Sequence, residues 1–262
     1  MDSLALASKM RRLTVWIDRN CQPASFIQRC YSGAPFGDCY VSIDPNRQGP
    51  YASGNWNRIH LCGTEPGLSP DGLSRLAEQF TTAGVRRFFV WLSPGPQMDT
   101  IRSWLSAAGF SRIRRTGYPT LHRASLEPAR FDSELYIREV RPHEIAQARA
   151  QLGDTMWREY ELSAGKDGFY HFMAFDAGRP VAIGALGVFE GIGYLNSAAT
   201  AESDRKRGAQ QALIASRIEK AREVGCSALA VETLTMLEHS LRNLRRAGFQ
   251  EVFEKEVYEW SA

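Results

Sequence analysis

Tyr194-Leu-Asn-Ser-Ala-Ala-Thr200, followed by Ala-Glu-Ser-Asp204-Arg-Lys-Arg-Gly208 and Ala-Gln-Gln-Ala-Leu-Ile-Ala215, is the stretch that decides the fold. A short apolar strand over 194–200 runs into a polar turn, and the turn opens a helix at about Gly208. The spacing predicts a helix to about 224, stopped at Gly225, with Ala209, Leu213, Ile214, Ile218 and Ala221 on one face. Asp204, or Ser203 before it, is positioned to cap the first N–H groups. Arg205, Lys206 and Arg207 gather where the helix dipole is already positive, and each such placement costs from a few tenths to about 1 kcal/mol. Cations at that end make sense if an anion docks on the exposed N–H groups, and Gly208 lets the backbone come close to it. The alternative is a solvated charge cluster at a turn.

Arg205-x-x-Gly208-x-Gln210, after a strand and before a helix, resembles the CoA-binding motif of the GNAT acyltransferase superfamily. The usual form is Arg/Gln-x-x-Gly-x-Gly/Ala, so Gln210 is a departure; a subgroup with Gly-Ala-Gln at these positions looks similar. The surroundings agree. After position 135 the chain reads strand, helices, three strands joined by tight turns at 177–180 and 190–193, the helix at 208, strand 228–232, helix 240–247 and, over 249–260, two last strands or one bent strand. This is the element order of the GNAT fold. Ser240-x-x-Asn243-x4-Gly248-Phe249 also resembles a later motif of the superfamily, in which an Asn faces the CoA arm.

The first half repeats the end of the second. Gly84-Val-Arg-Arg-Phe-Phe-Val-Trp91 matches Gly225-Cys-Ser-Ala-Leu-Ala-Val-Glu232, and Trp104 to Phe110 matches Asn243 to Phe249, with glycines 25 and 23 residues apart. The expected fold is therefore α+β: two GNAT-like domains in tandem, each a mixed, mostly antiparallel twisted sheet flanked by helices. The expected boundaries are 1–124 for a degenerate GNAT-like domain, 125–134 for a linker and 135–262 for the acetyl-CoA-binding domain. The first copy carries no cation between Gly63 and Leu73, while Glu65 and Asp71 would repel a diphosphate. It is expected not to bind CoA. Ahead of that, the sequence predicts a helix at the start of residues 1–20, a strand over 13–17, a short helix over 21–29, a strand over 38–43 and a loop over 44–57.

Composition narrows the class of function. The chain has 262 residues, 44% hydrophobic and 23% charged, with a formal net charge of +3. That charge is too small to imply nucleic acid, and no apolar run reaches the ~18 residues of a membrane helix. The N-terminus has no signal-peptide pattern. Five cysteines without metal spacing predict reduced thiols, a cytoplasmic location and no bound metal. A homodimer is left open.

Acyl transfer from a thioester to an amine needs a fixed carbonyl, a deprotonated amine, an oxyanion donor and a proton for the leaving thiolate. The resemblance implies that N–H groups of 207–210, Ala209 and Gln210 included, and the side chains of Arg205, Lys206 and Arg207 hold the diphosphate. It implies that the edge of Ala198, Ala199 and Thr200 pairs with the pantetheine amides, that Asn243 faces the cofactor, and that a backbone N–H near 196–198 meets the oxyanion. The family's thiolate-protonating Tyr would fall at Leu244, which cannot donate. Ser240, Tyr194 and Tyr160 are the remaining donors, and Glu232, at a strand end, is the candidate base or else a structural partner of a cation. His171 and His239 read as structural and solvent-facing. The expected activity is transfer of an acetyl or other acyl group from CoA to a primary amine of a small molecule. A catalytically inactive CoA-binding regulatory or scaffolding protein is the alternative; an aminoacyl transferase using charged tRNA fits poorly with the weak charge and the largely intact motif.

Overall fold

The computed structural model describes residues 3–46, 57–61, 63, 66–114, 117–129, 131 and 133–262. Cys62, Thr64, Glu65, Arg115, Arg130, Asp132 and residues 47–56 of the predicted loop lie outside the described residues. In chain order the first half contains α1 (Ser3–Cys21), β1 (Ile27–Tyr31), β2 (Cys39–Ile43), β3 (Arg58–Leu61), α2 (Pro70–Thr82), β4 (Arg87–Leu92), α3 (Met98–Ala107), β5 (Ser111–Arg112) and β6 (Tyr118–Arg123). The second contains β7 (Tyr136–Glu139), α4 (Pro142–Leu152), α5 (Arg158–Leu162), β8 (Phe169–Asp176), β9 (Arg179–Phe189), β10 (Ile192–Thr200), α6 (Ala209–Glu223), β11 (Ala228–Glu232), α7 (Glu238–Arg246) and β12 (Gln250–Ser261).

The repeat seen in the sequence is a repeat of structure. α2, Gly84, β4, α3 and Gly109 in the first half correspond to α6, Gly225, β11, α7 and Gly248 in the second. All four glycines take positive φ, between 77° and 85°, directly after a helix. In each half the repeated helices pack on one sheet face. Leu73, Leu76 and Phe80 of α2 meet Phe88 and Val90 of β4, while Ile214 and Ile218 of α6 and Leu241 and Leu244 of α7 meet Leu195, Leu229 and Val231.

The strands join into one sheet in the order β1, β2, β3, β4, β12, β6, β11, β10, β9, β8, β7, with β5 also beside β12. The two halves thereby exchange their last strands. β6 lies between β11 and β12, pairing Leu121 with Val231 on one edge and with Glu251 on the other. β12 pairs β6 over Gln250–Lys255, then crosses to β4 and pairs Glu256–Ser261 with Leu92–Arg87.

Two expectations near the N-terminus are overturned. Residues 13–17 are the middle of helix α1, whose buried Leu6, Met10, Leu13 and Ile17 follow the helical period over four turns. The strand propensity of Leu13-Thr-Val-Trp-Ile17 yields to that longer pattern. Residues 21–29 are not a helix either: α1 ends at Cys21, a turn follows, and β1 starts at Ile27. α1 covers the sheet face opposite α6 and α7, stacking Trp16 on Phe169 at 4.5 Å and packing on Tyr194 and Ala230.

Candidate functional site

The site begins where two parallel strands part. β10 and β11 pair only from Ile192 to Tyr194, opposite Ala228 to Ala230. Beyond Tyr194, β10 runs on to Thr200 with a ladder on its β9 side alone. That ladder shifts register between Asn196 and Ala199, and Ser197 takes φ 48°, so the strand bulges there. Ala198, Ala199 and Thr200 form the unladdered edge, half-buried. In the first half the equivalent ladder does not open: β3 and β4 stay paired through Leu61 and Leu92.

α6 starts at the mouth of this opening. Gly208 is its N-cap at φ 78°, no side chain bonds the first amides, and the first turn holds no acid. The expected cap is overturned, because Asp204 is occupied elsewhere. Arg179 reaches its carboxylate at 2.8 and 3.1 Å, Ser203 Oγ at 2.7 Å and Arg207 at 3.2 Å. Arg179, then Ser203 and Arg207, pull its pKa down to about 2. Arg207 also forks onto Asp176 at 2.7 and 3.0 Å. Its guanidinium therefore anchors the turn to the β8–β9 hairpin, and Ser133 Oγ donates to its carbonyl at 3.2 Å. Arg205 and Lys206 are exposed, Arg205 with only Glu202 at 3.6 Å and Lys206 at φ 66°. An open cleft of about 500 Å3 lies alongside, lined by Phe131, Ser133, Glu134 and Arg207.

The first-half helix offers the opposite surface. Ser69 Oγ caps the Gly72 amide at 3.1 Å, Pro70 and Asp71 occupy the first turn, and the Pro35 carbonyl presses so close that a Cβ on Gly72 would sit 1.9 Å from it. That helix end is filled by its own chain.

Gln210, the departure from the motif, bridges two helices. Its Oε1 accepts from Asn243 Nδ2 at 2.8 Å, and its Nε2 donates to Ser240 Oγ at 3.2 Å; Thr233 Oγ1 lies 3.4 Å from the same hydroxyl. Gln210, Ser240 and Asn243 are thus brought together between α6 and α7. Leu244 is core, buried with Ile214 and Phe249.

On the other sheet face stand Tyr194 and Glu232. Glu232 Oε1 accepts from Lys255 Nζ at 2.6 Å and from Thr120 Oγ1 at 3.0 Å, and the side chains of Glu232 and Lys255 are only 6% and 2% exposed. Tyr194 is buried; burial and the Glu232 charge push its pKa well up. Farther along the same face Asp18 pairs with Arg58 at 2.8 Å and lies 2.9 Å from His60.

Residues 134–249 match the Acetyltransferase (GNAT) family. That stretch is the part of the chain that resembles the family. Solved structures share the fold over the whole chain. A GCN5-related N-acetyltransferase from Kribbella flavida superposes with a TM-score of 0.69 at 16% identity, over 100% of this chain and 96% of its own. A tandem GNAT protein from the clavulanic acid biosynthesis pathway gives 0.63 at 9% identity, over 97% and 96%. A GCN5-related N-acetyltransferase from Sphaerobacter thermophilus gives 0.61 at 13%, over 87% and 79%. No curated protein sequence matches the chain.

Within the second half, two candidate donors differ in what they can reach. Tyr160 is fully buried and donates to the Phe172 carbonyl at 2.9 Å. Ser240, half-buried at the mouth, accepts from Gln210 and keeps its own proton to give. His171 is core: its Nε2 lies 3.0 Å from Ser163 Oγ, and burial pulls its pKa down to about 4. His239 is exposed. Sequence reasoning missed Thr120, Lys255 and Arg217. Thr120 comes from β6, beside β11, and Lys255 from β12, one strand further, and no local pattern announces either neighbour. Arg217 had a signal, since it falls on the apolar face of α6 between Leu213 and Ile218. Among the described residues no group of His, Cys, Asp and Glu could hold a metal ion, and no helix is long and apolar enough to cross a membrane.

Proposed function

We propose that the protein moves an acetyl or other acyl group from CoA to a primary amine of a small molecule. The observation that carries this reading is the contrast between the two halves of one fold. α6 starts uncapped, without acid and beside an open strand edge, whereas α2 starts capped, acidic and covered. Acetyl-CoA fits the first set of groups. The amides of 208–210 suit its diphosphate, with Arg205 and Lys206 supplying charge from solvent and Arg207 holding the turn through Asp176 and Asp204. Ala198, Ala199 and Thr200 suit its amides as an added strand would, and Asn243 with Gln210 closes the α7 side. The cofactor supplies an acyl group activated as a thioester. The chain's own part is to hold that carbonyl, take the amine proton and return a proton to the thiolate.

Glu232 is the proton acceptor in this reading. Lys255 and Thr120 both engage Oε1, and among the described residues nothing engages Oε2. Ser240 is the donor on the cofactor side. Tyr194 stays protonated. A CoA-binding protein without turnover is the second reading, favoured by the buried Leu244 where the family's acid would stand and by the ion pair on Glu232.

Calorimetry with acetyl-CoA on wild type and on Arg205→Ala/Lys206→Ala tests the first reading. Binding near one site per chain, weakened about tenfold in the variant and more at low than at high salt, is the expected result. No binding to wild type would sink it. Thiol release with a panel of amines separates the enzyme from the binder, because the binder releases none.

A further inference from the structure

We propose that Arg217 is a positioning residue for acyl transfer, lying behind the β10 bulge and fixing and polarising the Asn196–Ser197 peptide so that its N–H faces the acyl carbonyl. The proposal rests on the CoA reading above. Arg217 lies in the third turn of α6, and only 2% of it is exposed. No carboxylate among the described residues pairs with it. Its Nε donates back to the Leu213 carbonyl at 2.9 Å, which fixes the direction of the side chain. Its Nη1 lies 3.3 Å from the Ala185 carbonyl and 3.4 Å from the Asn196 carbonyl. Ala185 and Asn196 are register partners, the last rung of the β9–β10 ladder before the shift. Gly184 leaves the room: a Cβ there would stand 3.2 Å from the guanidinium carbon.

A buried guanidinium without a counter-ion is a costly way to fill a core position, and an apolar side chain would fill it more cheaply. The charge acts on the peptide that it touches. The Asn196 carbonyl and the Ser197 N–H belong to one amide plane and point in opposite directions in a trans peptide. With the carbonyl held on the β9 side, the N–H points away from β9, toward the side on which β10 has no ladder. A cation on the carbonyl strengthens the donor at the other end of the same amide. It also sets a fixed positive charge behind the place where negative charge develops during acyl transfer. Burial pulls the Arg217 pKa down to about 10, so the group stays charged at neutral pH.

The probe is acetyl-CoA carrying a 13C-labelled thioester carbonyl, read by infrared difference spectroscopy on the full chain. Wild type should bind it with the carbonyl stretch shifted to lower frequency than in free ligand. Arg217→Met should bind CoA as wild type does and lose most of that shift. Arg217→Lys keeps the charge without the planar fork and should lie between the two. Should Arg217→Met not fold, by circular dichroism and melting, Arg217→Lys carries the same comparison. A folded variant with an unmoved band overturns the role of Arg217 and leaves the cofactor reading standing. No binding to wild type overturns the cofactor reading, and this inference with it.

Discussion

Lys255 changes what Glu232 can be. A carboxylate alone at a strand end reads as a base in waiting, but this one shares a buried 2.6 Å contact with an ammonium that is itself only 2% exposed. Removing one partner of such a pair leaves the other charged in a dry place, which costs ~3–5 kcal/mol, whereas replacing both by apolar groups is often neutral. Glu232→Gln should therefore lower the melting temperature and abolish amine acetylation together, a result that alone cannot separate fold from chemistry. Glu232→Gln/Lys255→Met is expected to recover most of the melting temperature and none of the activity. Recovery of both would show that Glu232 takes no proton, and that its place in the site is purely to balance Lys255. The same reasoning separates Ser240 from Tyr194. Ser240→Ala removes a hydroxyl that faces the α6–α7 mouth, and should slow turnover while leaving acetyl-CoA binding in place. That split would be seen as a fall in kcat at constant KM for the cofactor.

At the scale of elements, α6 and its turn divide three adjacent cations between two tasks. Arg207 is tied to Asp176 and Asp204, one a β8 carboxylate and the other buried in the turn, so it belongs to the stability of the loop. Arg205 and Lys206 face solvent, with Glu202 at 3.6 Å from Arg205 the one ion pair between them and the described residues, and in the proposed function they meet the anion. Arg207→Ala should lower the melting temperature by a few degrees, because it strips one of the cations that hold the Asp204 carboxylate. Arg205→Ala/Lys206→Ala should leave the melting temperature unchanged. Equal effects of the two variants on stability would mean that the division is wrong. The sequence displayed the three cations but not this division, since Asp176 lies 31 residues away and only the hairpin fold brings it back. What was legible had a local cause. The α6 face, the Gly225 and Gly248 stops and the strand at 228–232 follow from periodicity and from glycine at positive φ. The strand expected at 13–17 fails for the same reason: it rests on five residues of local strand propensity, while the burial of Leu6, Met10, Leu13 and Ile17 spans twelve positions, seven of them before that window. Gln210 read as a defect in a motif because its partners, Ser240 and Asn243, are 30 and 33 residues on.

On the scale of the whole molecule, the strand exchange is what the sequence could not show, because alternation along a strand records which face is buried and not which strand lies beside it. β6 carries the end of the first half into the sheet of the second, where it is bonded on both edges, and β12 carries the end of the second half back to β4. Each half on its own would be an incomplete sheet. Without β6, the second half would break between β11 and β12, exposing the edge that supports Glu232 through Thr120. Without Glu256–Ser261, β4 would lose the partner that covers Phe88 and Phe89, with Trp260 no longer over Phe88 at 5.1 Å. Two open hydrophobic edges are an aggregation hazard as well as a loss of stability. This gives the first half a task that needs no ligand: it finishes and buttresses the sheet on which the site is built. Expressed separately, fragments 1–124 and 125–262 should each fail to melt cooperatively, and should run as aggregates in gel filtration. Refolded together they should recover a single cooperative transition and a one-to-one complex that binds acetyl-CoA. A cooperative transition in the second fragment alone would show that β6 is dispensable, and that the site depends on the second half's own strands.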